Sequence, residues 1–332
     1  MNNNYAIRKA AQGHTKLVEL LLQFPEVDPT ANQNEALRVS AVGNYIEIVK
    51  LLLKDKRIDP SFEEHFLIKL VSKKGRDQVL RLLLQDGRVN LKENYNNVVR
   101  MAVENGHAKT VEVFLEDESL VISQYDRWIT LACENGFVEL VKFLLSDKRI
   151  DPCENDNNPI VMALYYGFGE VVEVLLKDKR VNPSVRDNVV IIKASVYGLI
   201  NVVKLLLQDE GVDPSANFNE PIRRASEYGH TEIVELLLRD KRVDPSAKDN
   251  SSIVWASRNG HNKVVELLLQ DERVNPSTNN QAIKFASKYG HIEVVKLLLQ
   301  DERVDPNAND CEAEREAKKN NHDDIVALLT RK

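Results

Sequence analysis

Histidine, cysteine and closely spaced Asp–Arg pairs are the side chains of this chain that could do chemistry, and their spacing decides which chemistry is open to them. Six of the seven histidines, His14, His107, His230, His261, His291 and His322, directly follow a glycine or, at His322, Asn321. A histidine serves as metal ligand or proton carrier where other ligands or an orienting carboxylate converge on it. These six are separated by about 31 residues or multiples of that spacing. That places them on successive helix layers roughly 10 Å apart, too far to share a metal with bonds near 2 Å. The spacing therefore predicts hydrogen bonds that steady a turn. Cys133, Cys153 and Cys311 are odd in number and form no C-x-x-C pair, so neither a disulfide framework nor a zinc site is encoded, in keeping with reducing conditions. Cys133 falls where a small buried residue is expected, which makes it an inert hydrophobe. The motifs G-x-S-x-G, H-E-x-x-H and G-x-x-x-x-G-K do not occur, so the nucleophile, zinc-hydrolase and phosphate-loop classes have no signal. The recurring D-x-R pairs, Asp55 and Arg57, Asp147 and Arg149, Asp240 and Arg242, and Asp271 and Arg273, sit at helix ends. There a cation offsets the helix dipole. They read as structural, and no catalytic site, metal or cofactor is expected.

The elements that carry these residues repeat. Segments such as PIRRASEYGHTEIVELLLRDKRVDP and QAIKFASKYGHIEVVKLLLQDERVDP share one template. Its central glycines, from Gly13 and Gly43 to Gly290, recur every 30 to 32 residues, with Asn321 replacing the last. The period gives units 1–33, 34–64, 65–95, 96–125, 126–156, 157–187, 188–218, 219–249, 250–279 and 280–310, and residues 311–332 as a polar C-terminal cap. Each unit reads as two short helices. The first starts at an Asn column, Asn4, Asn34, Asn96, Asn157, Asn188, Asn219, Asn250 and Asn280, interrupted by His65, Asp126 and Cys311. Asn at a helix start predicts an N-cap whose side-chain oxygen accepts an amide of the first turn. The glycine supplies the positive φ that ends the helix. The second helix carries apolar residues three and four apart, and D-x-R-V-D-P stops it because proline cannot continue a helix. Helix pairs of this kind cannot bury their stripes alone, so 1–332 is expected to be a single array in which each unit covers its neighbour.

The pattern A-x-x-x-G-H-x-E-V-V-x-L-L-L resembles the ankyrin repeat over essentially the whole chain. The resemblance implies an all-α, ankyrin-type helix-turn-helix solenoid. Two departures, Asn-x-Ala-Ile in place of T-P-L-H and a loop about two residues shorter than the usual repeat of 33, imply short or absent β-hairpin fingers. Arrays with D-x-R-V-D-P-S linkers also resemble the ankyrin paralogues of amoeba-infecting giant DNA viruses. The regular template fails between Glu116 and Trp128, which is either drift or a local bend or contact at the junction of the fourth and fifth units.

In the ankyrin family, the residue five before the turn glycine and the two just before it face a concave groove. Carried over, this implies a partner-binding surface of Met162, Tyr165, Tyr166, Tyr197, Arg224, Tyr228, Trp255, Phe285 and Tyr289. Aromatic, Met and Arg side chains on a rigid surface are typical interface anchors, though tyrosines repeated at one position can instead pack on each other within the stack.

The expected function is a non-catalytic scaffold binding a partner protein along that groove, a host protein if the source is viral. The alternative is a substrate adaptor for a ubiquitin ligase, which would have to recruit through the groove because the repeats run to the C-terminus. A net charge of −6, from 45 basic and 51 acidic residues, gives no footprint for direct nucleic-acid binding. No apolar run reaches 18 residues and the N-terminus MNNNYAIRKA lacks a signal-peptide pattern, so a cytoplasmic monomer with no membrane segment is expected.

Overall fold

Short apolar stripes, each interrupted by Gly or Asn, can form only short helices, and the structure is a succession of them. It is a computed structural model that describes residues 3–89, 91, 95–118, 122 and 127–330. Its α-helices are 7 to 13 residues long and occur in pairs, and no strand occurs among the described residues. The chain forms two compact units, Met1–Asn155 and Asp156–Lys332.

The first unit contains the pairs Asn3–Ala10 with Thr15–Leu21, Ala31–Val42 with Ile46–Lys54, Phe62–Lys73 with Asp77–Gln85, Tyr95–Glu104 with Ala108–Leu115, and Trp128–Glu134 with Val138–Ser146. The second contains Gly169–Leu176, preceded by Glu154–Tyr165. It continues with Val185–Tyr197 and Ile200–Leu207, Ala216–Tyr228 and Thr231–Arg239, Ala247–Arg258 and Asn262–Leu269, Gln281–Lys288 and Ile292–Gln300, and Ala308–Lys319 and Asp323–Leu329. Within each unit first helices pack on first helices and second on second. The core is the repeating template seen edge-on: Ile222, Ala225, Val234 and Leu237 are fully buried, as are Ile253, Ala256, Val265 and Leu268 one repeat later. Each buried Ile, Val or Leu contributes about 1.5–3 kcal/mol of transfer free energy.

The Asn column does not cap helices. The first helices that start at Ala31, Val185, Ala216, Ala247, Gln281 and Ala308 have no side-chain cap hydrogen bond at their starts. Instead the chain makes a left-handed turn there: Asn217, Phe218 and Asn219 have φ of 51°, 59° and 59° before the right-handed helix begins. The same turn recurs at Asn32–Asn34, Arg186–Asn188 and Lys248–Asn250. It also recurs at Asn309–Cys311. Asn is the non-glycine residue that best tolerates this region. Its side-chain oxygen reaches about 25 residues on, to the loop that closes the unit: Asp244 N–H donates to Asn219 Oδ1 at 2.7 Å, Asn275 N–H to Asn250 at 2.7 Å, and Asp213 N–H to Asn188 at 2.8 Å. Pro159 and Pro221 fall in the first turn after this change of hand, where a missing amide costs nothing.

The turn position of the second repeat is Asn44, not Gly43. Gly43 has φ −69° whereas Asn44 has φ 61°, because Asn takes the left-handed place that glycine takes elsewhere. At Asn321 the same substitution gives φ 61°. In the last repeat Glu314, at the place of Ile283, is half-buried and pairs with Lys318. The irregular segment 116–128 falls largely on residues 119–121 and 123–126, which lie outside the described residues.

Candidate functional site

The turns fix where the candidate side chains point. At Gly75, Gly198, Gly229, Gly260 and Gly290 a histidine ring of the following repeat lies back over the glycine, and its Nε2 donates to a carbonyl at the end of the preceding first helix. His230 donates to Val196 at 2.9 Å, His261 to Glu227 at 2.9 Å, His291 to Arg258 at 2.8 Å and His322 to Lys288 at 3.1 Å. His107 makes the same bond to Lys73. Because the partner is a carbonyl, Nε2 carries the proton. The expected turn-steadying role is therefore met, but across repeats. A Cβ on Gly229 would stand 2.6 Å from His261 Nδ1, so glycine is needed for space as well as for its φ of 77°. At two places where histidine is absent another side chain substitutes: Phe137 covers Gly106, and Arg76 Nε donates to Val42 at 2.9 Å.

With these helix ends fixed, all nine candidate residues lie in the unit Asp156–Lys332. Tyr165, Tyr166, Tyr197, Tyr228 and Tyr289 are exposed, between 42% and 67%, at the C-terminal ends of four first helices, Asn259 standing at this place after Ala247–Arg258. Met162, Arg224, Trp255 and Phe285 are half-buried one turn earlier. Several are brought together. Tyr165 and Tyr166 meet edge to face at 5.1 Å, and Phe285 stacks on Tyr289 at 6.4 Å. Tyr228 stacks instead on His230 at 6.3 Å. Arg224 is committed within its own helix, to Glu220 at 3.0 Å and Glu227 at 2.8 Å, and those hydrogen bonds, the Glu227 bond foremost, raise its pKa.

The residue that ties the aromatic group together is Arg258, which is not among the nine. Its guanidinium carbon lies 4.9 Å from the centre of the Trp255 ring, 5.3 Å from Tyr289 and 5.8 Å from Phe285, within cation–π range of all three. The signal was available in the column two before the turn glycine, where Tyr165 also stands. A second residue that sequence reasoning missed is Phe218, 65% exposed in its left-handed turn with Lys248 Nζ 3.9 Å from the ring centre.

The chemistry-bearing residues are spoken for. Cys133 is fully buried, and burial pushes its thiol far above the ordinary range, so little of the nucleophilic thiolate exists near neutrality. Among the described residues no three His, Cys, Asp or Glu side chains converge on a point that could hold a metal. The D-x-R pairs are ties between repeats: Arg242 Nε and Nη2 grip Asp240 while Nη1 donates to Val212 O at 2.9 Å in the preceding repeat. Arg273 does the same with Asp271 and Val243 O. The arginine hydrogen bonds hold each Asp carboxyl below its ordinary value. Glu154 is buried and accepts the Thr130 amide and hydroxyl; desolvation raises its pKa against those bonds.

No helix among the described residues is long and apolar enough to cross a membrane. The family model described as ankyrin repeats (3 copies) matches residues 67–188, 129–218, 222–310 and 253–332. None of the curated proteins compared with the chain matches it.

Proposed function

The chain belongs to the ankyrin-repeat family, and from that premise we propose that it is a non-catalytic scaffold holding a partner protein along the face of its first helices between Met162 and Tyr289. Ankyrin repeats are in general interaction modules without catalysis of their own. The observation that carries the finer reading is the row of exposed tyrosines, Tyr166, Tyr197, Tyr228 and Tyr289, one per helix end along a rigid stack. Each keeps a large ring in water although the repeat could place any polar residue there, as it does with Asn259. Exposed aromatic clusters of this kind mark contact surfaces, and fixed backbone ends reduce the ordering cost of binding. The resemblance of the linkers to those of giant-virus paralogues supports a host protein as the partner and the host cytoplasm as the place of action.

Affinity capture from host-cell extract with the native chain and with a Trp255→Ala, Tyr228→Ala variant tests this. Loss of specific partners from the variant, with its helical circular dichroism intact, is the expected result. Identical partner sets from both proteins would show that the rings serve the stack alone.

A further inference from the structure

Among the described residues the Arg258 guanidinium has no carboxylate within ion-pair distance, unlike the other cations around it. Arg224 lies between Glu220 and Glu227, Lys284 Nζ is 2.6 Å from Glu312, and Lys288 Nζ is 3.8 Å from Glu316. Arg258 is half-buried against Trp255, Phe285 and Tyr289, and its side chain makes no hydrogen bond among the described residues. An arginine held on aromatic rings has lost most of its rotamer freedom, and its row of N–H donors remains to be used. That arrangement is preorganised for a two-point grip on a planar oxyanion. With the adjacent cations already neutralised by carboxylates of the chain itself, the site offers one uncompensated positive charge. One uncompensated charge is matched by a monoanion such as a carboxylate.

We infer that Arg258 is the anchor for a carboxylate, an Asp or Glu side chain of an extended partner segment, whose neighbouring apolar residue packs on the rings of Trp255 and Tyr289. This rests on the reading of the first-helix face as the partner surface. It assigns that surface a preference for acidic peptides.

The test is selection of a displayed library of random 12-residue peptides on the full chain at physiological salt, followed by resynthesis of the winning peptide. The expected result is an Asp or Glu at one register position beside an apolar residue. Replacing it with Gln should weaken binding at least tenfold on the native chain and less than threefold on the Arg258→Met variant, with Arg258→Lys intermediate. Unchanged thermal unfolding of both variants keeps the comparison valid; if Arg258→Met is destabilised, the Arg258→Lys result decides. Three results would overturn the inference: selected peptides without a shared carboxylate, equal losses on native and Met variants, or tighter binding when phosphoserine replaces the acidic residue. The reading of the surface itself is judged separately. Peptides that lose affinity for Trp255→Ala or Tyr289→Ala support the surface even if the carboxylate proves unnecessary, and peptides indifferent to both substitutions count against surface and anchor together.

Discussion

Replacing Asn219 by alanine separates two costs at one position. The backbone there is left-handed, and the side chain accepts the Asp244 amide at 2.7 Å. Alanine loses roughly 1–2 kcal/mol to the conformation and about 0.5–1.5 kcal/mol to the loss of the part-buried hydrogen bond. Asn219→Gly should restore the first part only, and Asn219→Asp most of both, as urea unfolding of the three variants would show. A second prediction concerns Glu154. Burial raises its pKa, so the stabilisation it gives is complete below the ordinary carboxylate value and fades as pH rises through the higher folded value. Glu154→Gln keeps the acceptor for Thr130 and is expected to be at least as stable as native at pH 7, the difference vanishing near pH 4. A native chain clearly more stable than the variant at neutral pH would show that the charge is compensated. These positions also show what the sequence could convey. The Asn column was visible as a column, but Asn is favoured both as a helix cap and in left-handed turns. Only the path of the backbone distinguishes the two. Gly43 misled for a related reason: with Asn44 beside it, either residue could have ended the helix.

At the scale of the helix pair, turn and neighbour are coupled through one ring. Gly229→Ala meets both the φ of 77° and the ring of His261 at 2.6 Å. Adding His261→Ala removes the collision and leaves the strain, so the double variant should recover part of the loss in spite of forfeiting the bond to Glu227 O. A double-mutant cycle in thermal unfolding measures this coupling, and strict additivity would exclude it. The D-x-R ties predict a pH dependence of the opposite sign to that of Glu154. Their Asp carboxyls are held below the ordinary value of 3.8 by the arginine hydrogen bonds. Their stabilisation is therefore complete above that value and lost as pH falls through the lower folded values. Asn at 240, 271 and 301 together should flatten the acid limb of the stability curve; an unchanged limb would place its origin elsewhere. Helix pairing and the buried columns were legible because an apolar period is a local signal. The reach of Arg242 to Val212, 30 residues back, was not, since a dipole-offsetting arginine and a bridging one look alike in one repeat.

At the scale of the whole molecule, the two tryptophans divide between the two compact units, Trp128 in the first and Trp255 in the second. Single-tryptophan variants made with Phe at the other site therefore report each unit separately. The second unit has successive His230, His261, His291 and His322 bonds and the Asn188, Asn219 and Asn250 clasps. Among the described residues the first has a histidine bond of this type at His107 alone, and an Asn clasp of this type at Asn4. In a linear array stability sums over such neighbour terms. Trp128 fluorescence should therefore change at lower denaturant than Trp255 fluorescence, and coincident midpoints would mean that the units unfold as one. The Arg–carbonyl and His–carbonyl ties between repeats also share a direction. In these Arg–carbonyl and His–carbonyl bonds the donor is about 29 to 35 residues later in the chain than its acceptor. For these bonds a repeat leaving the ribosome finds its acceptors already made. Assembly of this chain can keep pace with its synthesis, one layer at a time.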